Sequence, residues 1–308
     1  MCLFHLNLDE INERCRRDPA EFVAECEQSY TNVIESVAER ICEGRFDRPI
    51  LLLNGPSSSG KTTTASRIQE AARRRGIRTH SISMDDYYLS RNSYVVPKDE
   101  DGNNDLESPL CMDLPMLSDH LAALCEGKTI VVPKYDFMTH RRTGESQEVR
   151  LGKGEIAVIE GIHALNDVIT GKIQERATGI YMAVGTQVML SNDWRLAPHE
   201  LRFIRRAIRD KNFRDAPTTE TIHMWRSVRR GERLYIRPYI PSATYILNTY
   251  LPYEDCVLMN RLREDAAPYV QEMTDAGLAS VVHALDRFEP LEDLSLIPSQ
   301  SIMHEFIG

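Results

Sequence analysis

The stretch Gly55-Pro-Ser57-Ser58-Ser59-Gly60-Lys61-Thr62 leaves this chain few ways to fold. It fits the phosphate-binding pattern G-x-x-x-x-G-K-[ST] at every constrained position. Its flanks supply the context that gives the pattern meaning. Pro49-Ile-Leu-Leu-Leu-Asn54 is a short apolar run suited to a buried strand, and Thr62 to Arg75 is compatible with a helix that stops at Gly76. Gly55 and Gly60 let the backbone curl so that several N–H groups converge, and the helix adds the positive end of its dipole. The candidate nucleoside-triphosphate site is therefore Gly55, Ser57, Ser58, Ser59, Gly60, Lys61, Thr62 and Thr63. Lys61 would reach the β- and γ-phosphates, and Thr62 would offer its hydroxyl to Mg²⁺.

The fold expected around such a loop is α/β: a three-layer P-loop nucleoside-triphosphate hydrolase type with a mainly parallel sheet. Further strands are expected at 78–84, 129–133, 155–160, 178–184 and 243–248, with helices at 114–126 and 198–211. The P-loop core is expected at 49–250. A helical extension at 1–48 carries an apolar stripe of Phe22, Val23, Cys26, Tyr30, Val33, Ile34, Val37, Ala38 and Ile41. A mostly helical addition, 251–308, is expected to pack on the core, and residues 297–307 show no assignable pattern.

Several of these strands end in chemistry. Asp85 and Asp86 follow the second strand at the sheet edge where open α/β folds bind ligands, although a cap or solvated turn is the plainer reading. The loop 90–113 contains a polar run and then Glu107-Ser108-Pro109; it reads as solvated chain or as a lid. Lys134 to Arg142 gathers Tyr135, Phe137, His140 and Arg142 into nine residues. Such a set suits a pocket that stacks on a flat ring, or an ordinary hairpin with aromatic packing. Glu160 ends an apolar strand about a hundred residues after the loop, in the pattern of an acid that organises Mg²⁺ and its waters. On the 198–211 helix, Arg202, Arg205, Arg206 and Arg209 share one broad stripe. That stripe is either a solvated face or a set of arginines closing over a transferring phosphoryl group.

Composition narrows the class of partner. The formal net charge of -9 argues against a general nucleic-acid binder. Seven scattered cysteines with no C-x-x-C pair fit a reducing, cytoplasmic setting. No run has the length of a membrane span, and the polar first ten residues are unlike a secretory signal.

Together, Gly55–Thr62, Asp85–Tyr88, Pro133–Arg142, Ile159-Glu160-Gly161 and Arg202 to Asp210 resemble the uridine kinase and phosphoribulokinase family of P-loop kinases, over about residues 49–250. Trp225 to Glu232 and Ser301 to Gly308 look like the kinase half of bacterial proteins that fuse a TGS-type domain to a uridine-kinase-like domain. The 48 residues ahead of the core are too few for that companion half, so the resemblance implies a kinase standing without it. It also implies ATP-dependent phosphorylation of a nucleoside, uridine or cytidine first, at the ribose 5′-hydroxyl, with Mg²⁺ held by Thr62 and Glu160, partly through water. Asp85 is implied as the base, with Lys61 and Arg205 in the catalytic group and Arg206 on ATP. Asp85, Tyr87, Glu107, Tyr135, Phe137, His140, Arg142 and Arg202 are implied on the acceptor. Two departures fall on acceptor recognition: Glu107-Ser108-Pro109 stands where uridine kinases commonly carry Asp-His-Pro, and Asn212 to Ala216 keeps one of two lid arginines. A kinase for another nucleoside, a pentose derivative or a polyol, and a non-catalytic ATP-sensing or partner-binding module, are the competing readings. The expected partner is a small-molecule acceptor, with neither nucleic acid nor membrane; a homo-oligomer is compatible with the chain.

Overall fold

The computed structural model describes residues 4–308. In chain order the strands are β1 (Phe4–Asn7), β2 (Ile50–Asn54), β3 (Thr79–Ser83), β4 (Ile130–Asp136), β5 (Arg141–Val149), β6 (Ile156–Gly161), β7 (Ala177–Ala183), β8 (Thr186–Met189), β9 (Arg195–Leu196) and β10 (Tyr245–Asn248). The principal helices are α1 (Leu8–Arg17), α2 (Pro19–Gly44), α3 (Lys61–Arg74), α4 (Leu114–Cys125), the single turn α5 (Asp167–Thr170), α6 (Pro198–Arg214), α7 (Thr218–Gly231) and α8 (Glu254–Ala266). The central sheet has the order β10-β7-β2-β6-β3, and every pairing in it is parallel.

Both faces of this sheet are covered, which is why β2 reads as an unbroken apolar run rather than an alternating one. Leu51 and Leu53 point into one core with α2, α3 and α6, while Ile50 and Leu52 point into a second core with α4 and the β4–β5 segment. These are the three layers expected from the sequence. The first core also takes in Leu258 and Leu262 of α8 and, beyond it, Ile302, Met303 and Phe306, so residues from both ends of the described chain share one interior. No helix among the described residues is long and apolar enough to cross a membrane.

The N-terminal segment differs from expectation, and the aromatic segment takes the hairpin alternative. The first 48 residues are not wholly helical: β1 pairs in parallel with β8, which pairs antiparallel with β9, to make a separate three-stranded sheet. In α2 the apolar stripe is buried as expected, except that Val33 lies off it and is exposed. The aromatic segment 134–142 is a hairpin: β4 and β5 pair antiparallel, with an irregularity between Pro133 and Tyr135.

Candidate active site

At Gly55 and Gly60 the phosphate loop has backbone that tolerates no side chain. Gly60 has φ +79° and begins α3, and a Cβ on Gly55 would lie 2.3 Å from the Met182 carbonyl oxygen. Ser58 is also in the left-handed region, at φ +59°. The loop is buttressed from behind: the Tyr30 and Thr64 hydroxyls are 2.6 Å apart, and Thr64 Oγ1 donates to the Gly60 carbonyl at 2.6 Å. Lys61 curls back, its Nζ donating to the Pro56 carbonyl at 3.1 Å. The Ser58 and Ser59 hydroxyls are buried without a partner among the described residues.

Register brings the second acid to the loop. In the β2–β6 pairing Leu53 lies opposite Glu160, and Asn54 opposite Gly161. Glu160 therefore ends its strand beside the start of the loop, and Thr62 Oγ1 donates to its carboxylate at 3.1 Å. Burial pushes the Glu160 carboxyl up, opposed by Lys61. Burial likewise pushes the Lys61 ammonium down, opposed by Glu160, Glu305 and Asp85.

Asp85 and Asp86 sit on one turn, Met84–Tyr87, yet only one is free. Asp86 is buried; its Oδ2 pairs with Lys134 Nζ at 3.1 Å and its Oδ1 accepts from the Tyr135 N–H at 3.2 Å, fastening the hairpin to the sheet. Asp85 is open to solvent, and no side-chain partner engages its carboxylate among the described residues. Surrounding protein raises its proton affinity, with Lys61 and Arg214 opposing. Glu107 feels the same field: burial raises its carboxyl, against Arg206 and Lys61. Its main chain is docked firmly, since His163 Nε2 is 3.0 Å from the Glu107 carbonyl oxygen and a Cβ on Gly231 would lie 2.4 Å from the Glu107 Cβ.

The hairpin supplies an aromatic wall. The rings of Tyr88, Tyr135 and Phe137 pack on one another with centroids 5.0–5.6 Å apart. His140, at φ +54°, turns the hairpin, and its carbonyl accepts from the Arg91 N–H at 3.0 Å. Two residues expected on the acceptor are instead structural. Tyr87 is fully buried, with its hydroxyl 2.9 Å from His120 Nδ1. Arg142 directs its donors to the Tyr87 and Tyr88 carbonyls and to Asp113 Oδ2, each at 3.2 Å, and so braces the turn behind the acids.

The α6 arginines also require correction. Arg205 was expected at the transferring group, but its side chain has no exposure and is ion-paired with Glu254 at 2.6 Å. Arg202, expected on the acceptor, is buried against Glu232 and donates to the Ser57 carbonyl at 3.0 Å. Arg206, expected on ATP, pairs with Asp210 and donates to Ser57 Oγ at 3.0 Å. Arginines packed inward each need a carboxylate, and these find Glu232 after α7, Glu254 on α8 and Asp210 on α6 itself. Arg214 lies within Coulombic reach of Asp85 and is more than half exposed; it is the one lid arginine that Asn212 to Ala216 keeps. Arg226, Arg229, Arg230, Arg233 and Arg237 line a separate cleft of about 680 Å³, none of whose walls comes from the phosphate loop.

No group of three His, Cys, Asp or Glu side chains among the described residues could by itself enclose a metal. The hydroxyl of Thr62 and the carboxylate of Glu160 do fit Mg²⁺, a hard cation that binds few protein oxygens and completes its shell with water and phosphate. Four acids, Asp85, Glu107, Glu160 and Glu305, lie within Coulombic reach of Lys61 or of one another, a surplus of negative charge that a divalent cation would balance.

A sequence model of the phosphoribulokinase / uridine kinase family matches residues 50–252. A uridine kinase of Deinococcus deserti is 30% identical over 192 residues, covering 62% of this chain and 79% of that protein. One of Alkaliphilus metalliredigens is 28% identical over 204 residues, covering 66% and 88%. A solved structure described as a possible uridine kinase from Bacillus stearothermophilus aligns at 20% identity with a TM-score of 0.44, covering 68% of this chain and 96% of its own.

Proposed function

This chain belongs to the phosphoribulokinase / uridine kinase family and is a P-loop small-molecule kinase, and we propose that it phosphorylates the ribose 5′-hydroxyl of a pyrimidine nucleoside, uridine or cytidine, from ATP. The observation that carries this reading is the unengaged Asp85 carboxylate, in the same charge cluster as Lys61 while its neighbour Asp86 is locked to the hairpin. In the reaction, the acceptor oxygen forms a bond to the γ-phosphorus as the bond from that phosphorus to the β-phosphate oxygen breaks. The hydroxyl proton passes to Asp85, and ADP leaves. Lys61 counters charge on the phosphates, and loop N–H groups preset by Gly55 and Gly60 orient them. Mg²⁺ bound at Thr62 and Glu160 would neutralise phosphate charge.

Acceptor selection is assigned to Glu107, Tyr135, Phe137 and His140. A polyol or pentose derivative is the second reading, because the Tyr88, Tyr135 and Phe137 rings pack against each other as they stand. An ADP-release assay with Mg-ATP against nucleosides, pentoses and polyols tests both readings. Asp85→Asn should retain ATP binding and lower turnover by about 10²–10⁴-fold, as loss of a general base does. Unchanged turnover in that variant would remove Asp85 from the mechanism.

A further inference from the structure

The proposed reaction gives the phosphate donor a direction across the sheet. Asp85 follows the edge strand β3, Glu160 ends β6 and the phosphate loop leaves β2, while β7 and β10 lie on the far side of β2. A triphosphate whose γ end meets Asp85 must therefore extend its nucleoside toward the β7–β10 flank.

That flank is occupied by residues 301–308, which lie outside the segment matched by the family model. Consecutive helical residues point about 100° apart. Thr62 and Thr63 accordingly engage different flanks: Thr62 meets Glu160, and Thr63 Oγ1 donates to Glu305 Oε2 at 3.1 Å. A Cβ on Gly60 would lie 2.0 Å from Ile302 Cδ1 and 3.9 Å from Thr249, the residue after β10. The segment is anchored there. Met303 and Phe306 are fully buried, Asn212 Nδ2 donates to the Phe306 carbonyl at 2.9 Å, and the Phe306 ring centre is 5.0 Å from the Arg205 guanidinium carbon. Glu305 itself is only half-buried.

An ionised carboxylate at this point accepts hydrogen bonds and repels phosphate oxygens. Its complement on a nucleotide is a ribose hydroxyl or a base amino group. We propose that Glu305 is a positioning and specificity residue for the nucleoside half of the phosphate donor, accepting a hydrogen bond from such a group beside Thr63. The inference rests on the kinase reading given above.

Equilibrium binding of nucleotides to the full chain with Mg²⁺ and no acceptor tests it, with inorganic tripolyphosphate as the nucleoside-free probe. Glu305→Ala should weaken ATP about ten-fold, as loss of one charge-assisted hydrogen bond does, while leaving tripolyphosphate unchanged or tighter. Glu305→Gln, which keeps an acceptor oxygen, should recover part of the loss. Among 2′-deoxy-ATP, 3′-deoxy-ATP and purine riboside triphosphate, the analogue lacking the partner group should bind wild type weakly and ignore the substitution. Should Glu305→Ala fail to fold, the Gln variant and the analogue series carry the test. ATP and tripolyphosphate both tightening in the variants would show a carboxylate that only opposes phosphate, and would overturn the proposal. Equal ATP affinity in all three proteins would overturn it alone. A folded wild type that binds no ATP would overturn the kinase reading as well.

Discussion

Arg205 offers the sharpest test of what the α6 arginines do. Its Nε and Nη2 make a two-pronged pair with the Glu254 carboxylate at 2.7 and 2.6 Å, Nη2 also donates to the Thr249 carbonyl at 2.7 Å, and Nη1 reaches Thr249 Oγ1 at 3.2 Å. Neither partner of the ion pair has any exposure. Burial works against the guanidinium charge, yet Glu254 outweighs it and holds the proton more tightly than usual. Arg205→Met keeps much of the volume and removes every one of these donors. It strands a buried carboxylate, and breaking a buried pair from one side costs about 3–5 kcal/mol. Pairing it with Glu254→Gln removes the stranded charge, and the double variant should regain at least half of the loss, because Gln can still accept from the Leu251 N–H that Glu254 now caps at 2.9 Å. Urea unfolding at neutral pH measures both variants. If Arg205→Met costs less than about 1 kcal/mol while turnover falls a hundred-fold, the guanidinium acts on the transferring group and the structural assignment is wrong.

Two further perturbations probe the surroundings of Glu107. His163 is almost wholly buried, and burial lowers its pKa from 6.5 to about 4, with the Glu107 carbonyl, Tyr235, Asp105 and Lys61 around it. The unfolded chain binds that proton more readily, so this contribution to stability is complete above pH 6.5 and is lost as pH falls toward 4. The shift amounts to about 3 kcal/mol. Thermal midpoints between pH 7.5 and 4.5 should fall more steeply for wild type than for His163→Gln, and parallel curves would refute the assignment. Gly231→Ala would place a methyl group 2.4 Å from the Glu107 Cβ. The acceptor KM should rise several-fold with ATP affinity unchanged, and the overpacking should cost about 1–3 kcal/mol in an unfolding experiment; an unaltered acceptor KM would remove Glu107 from acceptor selection.

The parts of this molecule that local physics decides could be read from the chain. The apolar run before Gly55, the glycines of the loop and the acid-terminated strand at Glu160 all specify backbone through nearest neighbours, and each stands within a residue or two of its expected place. Long-range pairing could not be read. β1 finds its partner β8 across roughly 180 intervening residues, and four residues in isolation show no period. Asp85 and Asp86 are chemically identical neighbours, and only Lys134 and the Tyr135 N–H, some 48 residues on, decide which is engaged. Residues 301–308 carry no periodic pattern because they form short turns wedged against Gly60 and α6.

The arginine stripe shows how a correct spacing can yield the wrong direction. Positions 202, 205 and 206 do share one face of α6, but that face looks inward, where Glu232 and Glu254 from other elements and Asp210 one turn along α6 neutralise it. Their remaining donors close on the phosphate loop from behind: Arg202 on the Ser57 carbonyl, Arg206 on the Ser57 hydroxyl, and Arg205 at 3.4 Å from the Ser58 carbonyl. Holding loop carbonyls toward the protein leaves the alternate faces of those peptides, the N–H groups, free to turn toward a phosphate. Preorganised dipoles need no rearrangement when charge develops, which is why a loop splinted by buried ion pairs serves phosphoryl transfer better than mobile cations would. The arginines thus meet the phosphate loop that their spacing suggested at the Ser57 and Ser58 carbonyls and the Ser57 hydroxyl.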